Sequence, residues 1–419
     1  MSNLAGRCCV LAALGLLAAC APSTPQAEPA FSAVGLDRIR GEVQTDIDAQ
    51  RIAGAVLLLH HARETVLFES FGLRDVASGD PMMHDTIFRI FSMTKPVTSV
   101  AVMMLDERGA LDIDDSVGRY LPELAELEVL TDDGTLVPAG REITIRDLLS
   151  HTGGLTYGLF ADTPIDRAYR EAEVLIGAPT SADIVARLGT LPLKHQPGAA
   201  WEYSVSTDVL GRLVEVVSGQ ALDLFFEREI FAPLGMLDTG FFVPVEKLPR
   251  LAGYYQPGDG GLQVVADVWR VVDQRPSLLS GGGGLFSTAT DYLTFCRMVL
   301  NGGAIDGTRL LTPASIEEMA TDHLSGLAGR SDNVLRAGPY VIPGGFGLGF
   351  AVDKTDTPAG SSRRLFWYGI ASTSFWIDLD QGLIGIYLVQ HEPLDMSLGN
   401  RFRDLTYDAA TFVSAEPLR

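Results

Sequence analysis

The sequence predicts an α/β protein with a large all-α insertion: an antiparallel sheet formed from both chain ends, flanked by helices, around a mostly helical middle. Three observations carry this. Strand-like runs "AVLLLHH" (55–61) and "TVLFESFG" (65–72) lie near the start of the chain. Alternating apolar residues return near its end in "RLFWYGIASTSFWIDLD" (364–380) and "GLIGIYLVQ" (382–390). Between them, apolar positions recur at three and four, with Pro and Gly at the junctions. Residues 34–90 and 281–419 are therefore assigned to the α/β part and 91–280 to the inserted helical part.

In chain order, residues 1–20, "MSNLAGRCCVLAALGLLAAC", combine one cation, a short apolar run and small residues, the layout of a secretory signal too short to span a bilayer. Leu17-Ala18-Ala19-Cys20 resembles a bacterial lipobox, which implies lipidation of Cys20 after cleavage. Ala21 is not the aspartate that marks inner-membrane retention in that class, so the expected location is the outer membrane, periplasmic face. Cleavage would remove Cys8 and Cys9 and leave Cys20 and Cys296, so no internal disulfide is expected. Residues 21–33 are rich in Pro, Ala and Ser and read as a flexible tether.

Leu36, Ile39, Val43 and Ile47 then mark an amphipathic helix expected to end at Gly54. The two strands after it form a hairpin. His60 and His61 end the first strand with no third ligand spaced nearby, which favours edge histidines over a metal site. A long helix over 92–108 closes at Gly109, and further helical pieces are expected in 143–155, 206–236, 288–303 and 398–413.

Composition narrows the function. The chain has 419 residues, 47% of them hydrophobic and 20% charged, enough to bury a large core. A formal charge of −21 without a Lys/Arg cluster excludes a nucleic-acid binder, because phosphate recognition needs a cationic face. Hydrolase signals such as G-x-S-x-G and H-E-x-x-H, and the phosphate loop G-x-x-x-x-G-K-[ST], are absent. The glycine run 281–284 lacks a lysine and reads as a tight turn before a helix.

One stretch stands apart. In "FRIFSMTKPV" (88–97), Ser92 precedes Lys95 by three residues in an apolar run, and Lys95 is one of only four lysines. Positions i and i+3 share a helix face, so hydroxyl and amine can meet. A serine hydroxyl needs a base to become nucleophilic, and a lysine serves only where burial or a nearby cation favours its neutral form. If Ser92 starts the helix, its N–H is an unpaired helix-end donor able to face an oxyanion. An N-cap serine beside a solvated lysine is the bland alternative. The apolar flanks and the single occurrence of S-x-x-K in the chain weigh against it.

"FSMTKP" (91–96), "LLSHTGGL" (148–155), "PGAAWEYSVSTDVLG" (197–211), "FAPLGMLDTGF" (231–241) and "GGGGLFSTATDYLTF" (281–295) together resemble the serine β-lactamase and penicillin-binding-protein superfamily. Within it they most resemble carboxylesterases that share the class C β-lactamase fold, the family VIII type. The resemblance implies that Ser92 is the nucleophile, Lys95 its base, and Tyr203 a proton shuttle bridging Lys95, Ser92 and the leaving group. It places Val205 where β-lactamases carry an asparagine that binds the substrate's acylamino group. It places Trp367-Tyr368-Gly369 on the Lys-Thr-Gly strand, with Gly369 letting the strand approach substrate and the N–H of Ile370 as second oxyanion donor. Trp367 and Gly369 agree with the esterase relatives' Trp-Gly-Gly. Tyr368 departs from it and is expected to narrow the pocket.

The expected function is hydrolysis of short- to medium-chain carboxylic esters through an acyl-enzyme, with a small-molecule ester as partner and neither metal nor organic cofactor. The alternatives are a β-lactamase or D-peptidase, and a catalytically weak penicillin-binding or sensor protein. The missing asparagine and lysine argue against the first, and the intact Ser92, Lys95 and Tyr203 against the second.

Overall fold

In the computed structural model, residues 30–131, 133–175, 178–265, 272–327, 334–357 and 360–411 are described. Cys20, the signal and most of the tether lie outside them. The tether's expected last residues are already structured: Ala30–Phe31 pair with Ala410–Thr411, and Ser32 caps the first helix.

An eight-stranded antiparallel sheet organises the chain. Its strands are β1 (Gly54–His61), β2 (Glu64–Asp75), β3 (Asp80–Pro81), β4 (Gly345–Phe346), β5 (Ala351–Thr357), β6 (Gly360–Tyr368), β7 (Ser374–Asp378) and β8 (Leu383–Val389). Their spatial order is β4-β5-β6-β7-β8-β1-β2-β3. The ends of the chain meet where β8 pairs with β1, Ile386 opposite Leu58. β4 and β5 were not foreseen, because β4 is two residues long and "AVDKTDT" carries charges at 353, 354 and 356 that break any apolar alternation.

Strand alternation sends successive side chains to opposite faces, and helices cover both. Phe375 meets Tyr292 of one helix (Ala289–Leu300) at 5.1 Å, while Trp376 meets Phe402 of another (Met396–Ala409) at 5.0 Å. The first helix, α1 (Ala33–Asp48), ends six residues before Gly54, which instead opens β1. Gly54 is required there because a side chain would run into the backbone of Phe71 and Leu73. His60 is no edge residue. β1 is a central strand, and His60 is buried with neither ring nitrogen hydrogen-bonded.

The helix expected over 92–108 begins as a 3₁₀ turn (Phe91–Met93) and continues as α2 (Thr94–Glu107), with Gly109 at φ +67° as the terminating residue. All residues of α2 from Thr94 to Leu105 are buried, so it runs through the interior and not along a surface. The 143–155 segment is helical only over Ile145–Leu149, where Thr144 and Asp147 form a capping box. His151 at φ +57° and Gly154 at φ +84° end it. α4, numbered after that short helix α3, spans Ser206–Ser218. Among the described residues no helix is long and apolar enough to cross a membrane.

Candidate active site

The site forms where the 3₁₀ turn, α4, the end of β6 and the glycine run meet. Ile90 donates its N–H to Leu285 O (3.1 Å) and accepts from Met93 N (3.0 Å), which pins the turn. Between them Phe91 takes φ +43°, a left-handed value costly for an aromatic residue, and is held there by burial against Tyr254 and Ala371. Ser92 is thereby lifted half-exposed into a cavity of about 540 Å³.

Lys95, one turn later in α2, is buried to 1% exposure. Its Nζ lies 3.1 Å from Ser92 Oγ and donates to Gly282 O at 2.5 Å. It also sits over the rings of Tyr203 (4.8 Å) and Tyr157 (5.5 Å). The glycine run is therefore more than a turn. Thr98 Oγ1 donates to Gly281 O (2.7 Å), so two successive carbonyls of the run are clamped onto α2. Gly281 lies so close to α4 that a side chain there would collide with the carbonyl of Thr207, and one at Gly211 would press within 3.2 Å of the Gly281 backbone.

The "SHTGGL" segment scaffolds Tyr203. His151 O accepts from Glu202 N (2.9 Å), Gly154 O from Lys194 N (2.7 Å) and Thr152 O from Gly198 N (2.8 Å). The His151 ring packs 5.1 Å from Tyr203, and its Nδ1 shares a hydrogen bond with Ser204 (3.2 Å). Burial holds this imidazole well below its ordinary pKa, and the Lys95 charge pushes the same way. Tyr203 meets β6 through Trp367, whose Nε1 donates to the phenol oxygen at 3.3 Å. That phenol is thus hydrogen-bonded to Trp367, and the Lys95 amine faces its ring.

Ser92, Tyr203, Trp367 and Ile370 line the one cavity. Ile370 is half-exposed, and among the described residues neither its N–H nor that of Ser92 donates to another part of the chain. Two unengaged amides beside a serine hydroxyl have the composition of an oxyanion hole.

Two expected substrate contacts are corrected. Val205 is buried in the apolar core and does not line the cavity; its carbonyl begins α4, accepting from Asp208 N (2.9 Å) and Val209 N (3.2 Å). Gly369 does not line it either. A side chain there would strike Thr373 Oγ1 and come within 2.6 Å of Ile90 O, so glycine serves the approach of β6 to the Ser92 turn. Tyr368 lines the cavity as well, and its hydroxyl donates to Asn400 Oδ1 at 2.7 Å.

Residues that sequence reasoning missed include Tyr157 and Asp208. Tyr157 lies two residues after the "SHTGGL" segment, and burial raises its phenol's pKa far above the ordinary value, with Tyr203 and Asp208 adding to the shift. Asp208 lines the cavity from the first turn of α4. The one basic side chain among the described lining residues, Arg275, is paired with Asp223 (2.8 Å). Among the described residues no cluster of His, Cys, Asp and Glu could hold a metal ion.

The chain is similar to known proteins over most of its length. The chain is 32% identical to lovastatin esterase of Penicillium rubens, covering 83% of this chain and 91% of that protein. It is 30% identical to esterase EstB of Burkholderia gladioli, over 85% and 91%. Its fold matches that of EstCE1, a hydrolase with promiscuous acyltransferase activity, with a TM-score of 0.74, 26% identity and coverage of 89% and 98%. With the family model for Beta-lactamase matching residues 39–408, over the sheet and the Ser92 turn alike, this chain belongs to the beta-lactamase family and shares its fold with esterases and acyltransferases.

Proposed function

We propose that the protein is a serine carboxylesterase that cleaves short- to medium-chain esters through an acyl-enzyme on Ser92. The observation that carries this is the Ser92–Lys95 pair, 3.1 Å apart, opening into an apolar cavity whose one basic lining side chain among the described residues is already paired. Ser92 Oγ attacks the ester carbonyl as Lys95 takes its proton, and the N–H groups of Ser92 and Ile370 receive the oxyanion. The C–O bond to the alcohol breaks as the alkoxide is protonated from the Lys95–Tyr203 side, and water then releases the acid by the reverse sequence. Esterase and hydrolase relatives support the same chemistry.

A β-lactam brings a carboxylate that needs a cation. Arg363 and Arg364 stand on the right strand, but Arg363 pairs with Glu317 (2.6 Å) and Arg364 with Asp353 (2.5 Å), which supports esterase over β-lactamase. We further read the protein as exported and lipid-anchored through Cys20, on its sequence alone. The deciding experiment compares p-nitrophenyl acyl esters with a chromogenic cephalosporin in the unmodified protein and Ser92→Ala. Ester hydrolysis lost in Ser92→Ala supports the reading, and hydrolysis unchanged in that variant overturns it.

A further inference from the structure

Asp208 is a carboxylate buried to 2% exposure at the wall of the active-site cavity. Its Oδ1 accepts from Ser280 Oγ (2.6 Å) and from Gly282 N (3.1 Å). Its Oδ2 is buried with no hydrogen-bond partner among the described residues, and it occupies the space a side chain at position 282 would need. A buried carboxylate with one oxygen unsatisfied is costly and persists where its charge is compensated. Two compensations are visible. Asp208 sits in the first turn of α4, where the helix dipole favours an anion. The second is Lys95, whose Nζ donates to the carbonyl of the same Gly282 whose N–H donates to Asp208.

We propose that Asp208 is a positioning residue: it anchors Gly282 so that the carbonyl holds the Lys95 amine against Ser92. This rests on the acyl-enzyme reading above.

The test measures the rate of Ser92 labelling by a fluorophosphonate, which needs no knowledge of the natural ester. Asp208→Ala removes the acceptor for Gly282 N, and the labelling rate is expected to fall about tenfold. Asp208→Asn keeps an oxygen for Ser280 and Gly282 and is expected to restore most of that rate. A rate unchanged in Asp208→Ala, or as low in Asp208→Asn as in Asp208→Ala, overturns the proposal. Should Asp208→Ala not fold, Ser280→Ala decides: it removes one donor from the clamp, and kcat on a p-nitrophenyl ester is expected to fall about threefold with KM unchanged. An unaltered kcat there overturns the clamp. Absence of labelling at Ser92 in the unmodified protein would instead refute the acyl-enzyme reading.

Discussion

Gly369→Ala tests the proposed oxyanion hole of the Ser92 and Ile370 N–H groups. The added methyl would meet Thr373 Oγ1 and stand 2.6 Å from Ile90 O, where ordinary contact begins at 3.4 Å. Thr373 can yield, since its Oγ1 is buried without a partner. Ile90 cannot, because its carbonyl accepts from Met93 N and its N–H donates to Leu285 O, the bonds that set the Ser92 turn. The end of β6 must therefore back away by about 0.8 Å, the difference between those two separations. It would carry the N–H of Ile370 with it. A donor displaced that far leaves the 2.7–3.1 Å range an oxyanion needs, and loss of one such donor costs about 10²–10³ in kcat. We expect kcat on p-nitrophenyl butyrate to fall about a hundredfold, with KM within about threefold, because the contact is made in the transition state and not in the ground state. A kcat within about twofold of the unmodified protein refutes the reasoning. So does full rescue by Thr373→Ala in the Gly369→Ala background, which would make Thr373 and not Ile90 the obstacle.

Fluorophosphonate labelling should map by mass spectrometry to Ser92, on the strength of its 3.1 Å contact with Lys95; a label on another serine sinks the assignment. Ester hydrolysis should exceed nitrocefin hydrolysis by at least about a hundredfold in kcat/KM, since a charge-assisted contact of about 1.5–3 kcal/mol and a neutral one of about 1 are missing; comparable values would argue for a β-lactamase. Asp353→Asn leaves Arg364 buried without its carboxylate and should destabilise the fold by about 3–5 kcal/mol in denaturant unfolding; a loss under about 1 would show that the pair is dispensable. His60, His151 and His391 all have pKa values lowered first by burial, so the unfolded chain binds more protons than the fold below the ordinary value of 6.5. Their contribution is fully present above that pH and is lost as pH falls through it, and unfolding free energy flat from pH 7.5 to 5.5 would contradict this. Cys20→Ser should leave the membrane fraction, because lipidation at Cys20 is what would hold the protein there, and unchanged detergent partitioning counts against the lipobox.

What the sequence by itself determined follows from local rules. Strand period, helix period and a glycine stop placed β1, β2, β6, β7, β8 and α2 within a few residues. The Ser92–Lys95 pair was legible because three residues on one face is a short-range geometry that the fold did not need to supply. What only the tertiary structure decided depends on segments far apart in sequence. Gly282 and Lys95 are 187 positions apart, and Asp208 reaches Gly282 across 74, so neither contact leaves a period or a spacing to read. Val205 and Gly369 were misplaced for the same reason: a motif gives a residue's place along the chain, whereas packing decides whether it faces the cavity or a neighbouring backbone. β4 escaped because it is only two residues long, and β5 because beyond Val352 it is paired on one side only, so Asp353, Lys354 and Asp356 give it no apolar signal. The chemistry was written locally, and its support was written by long-range packing.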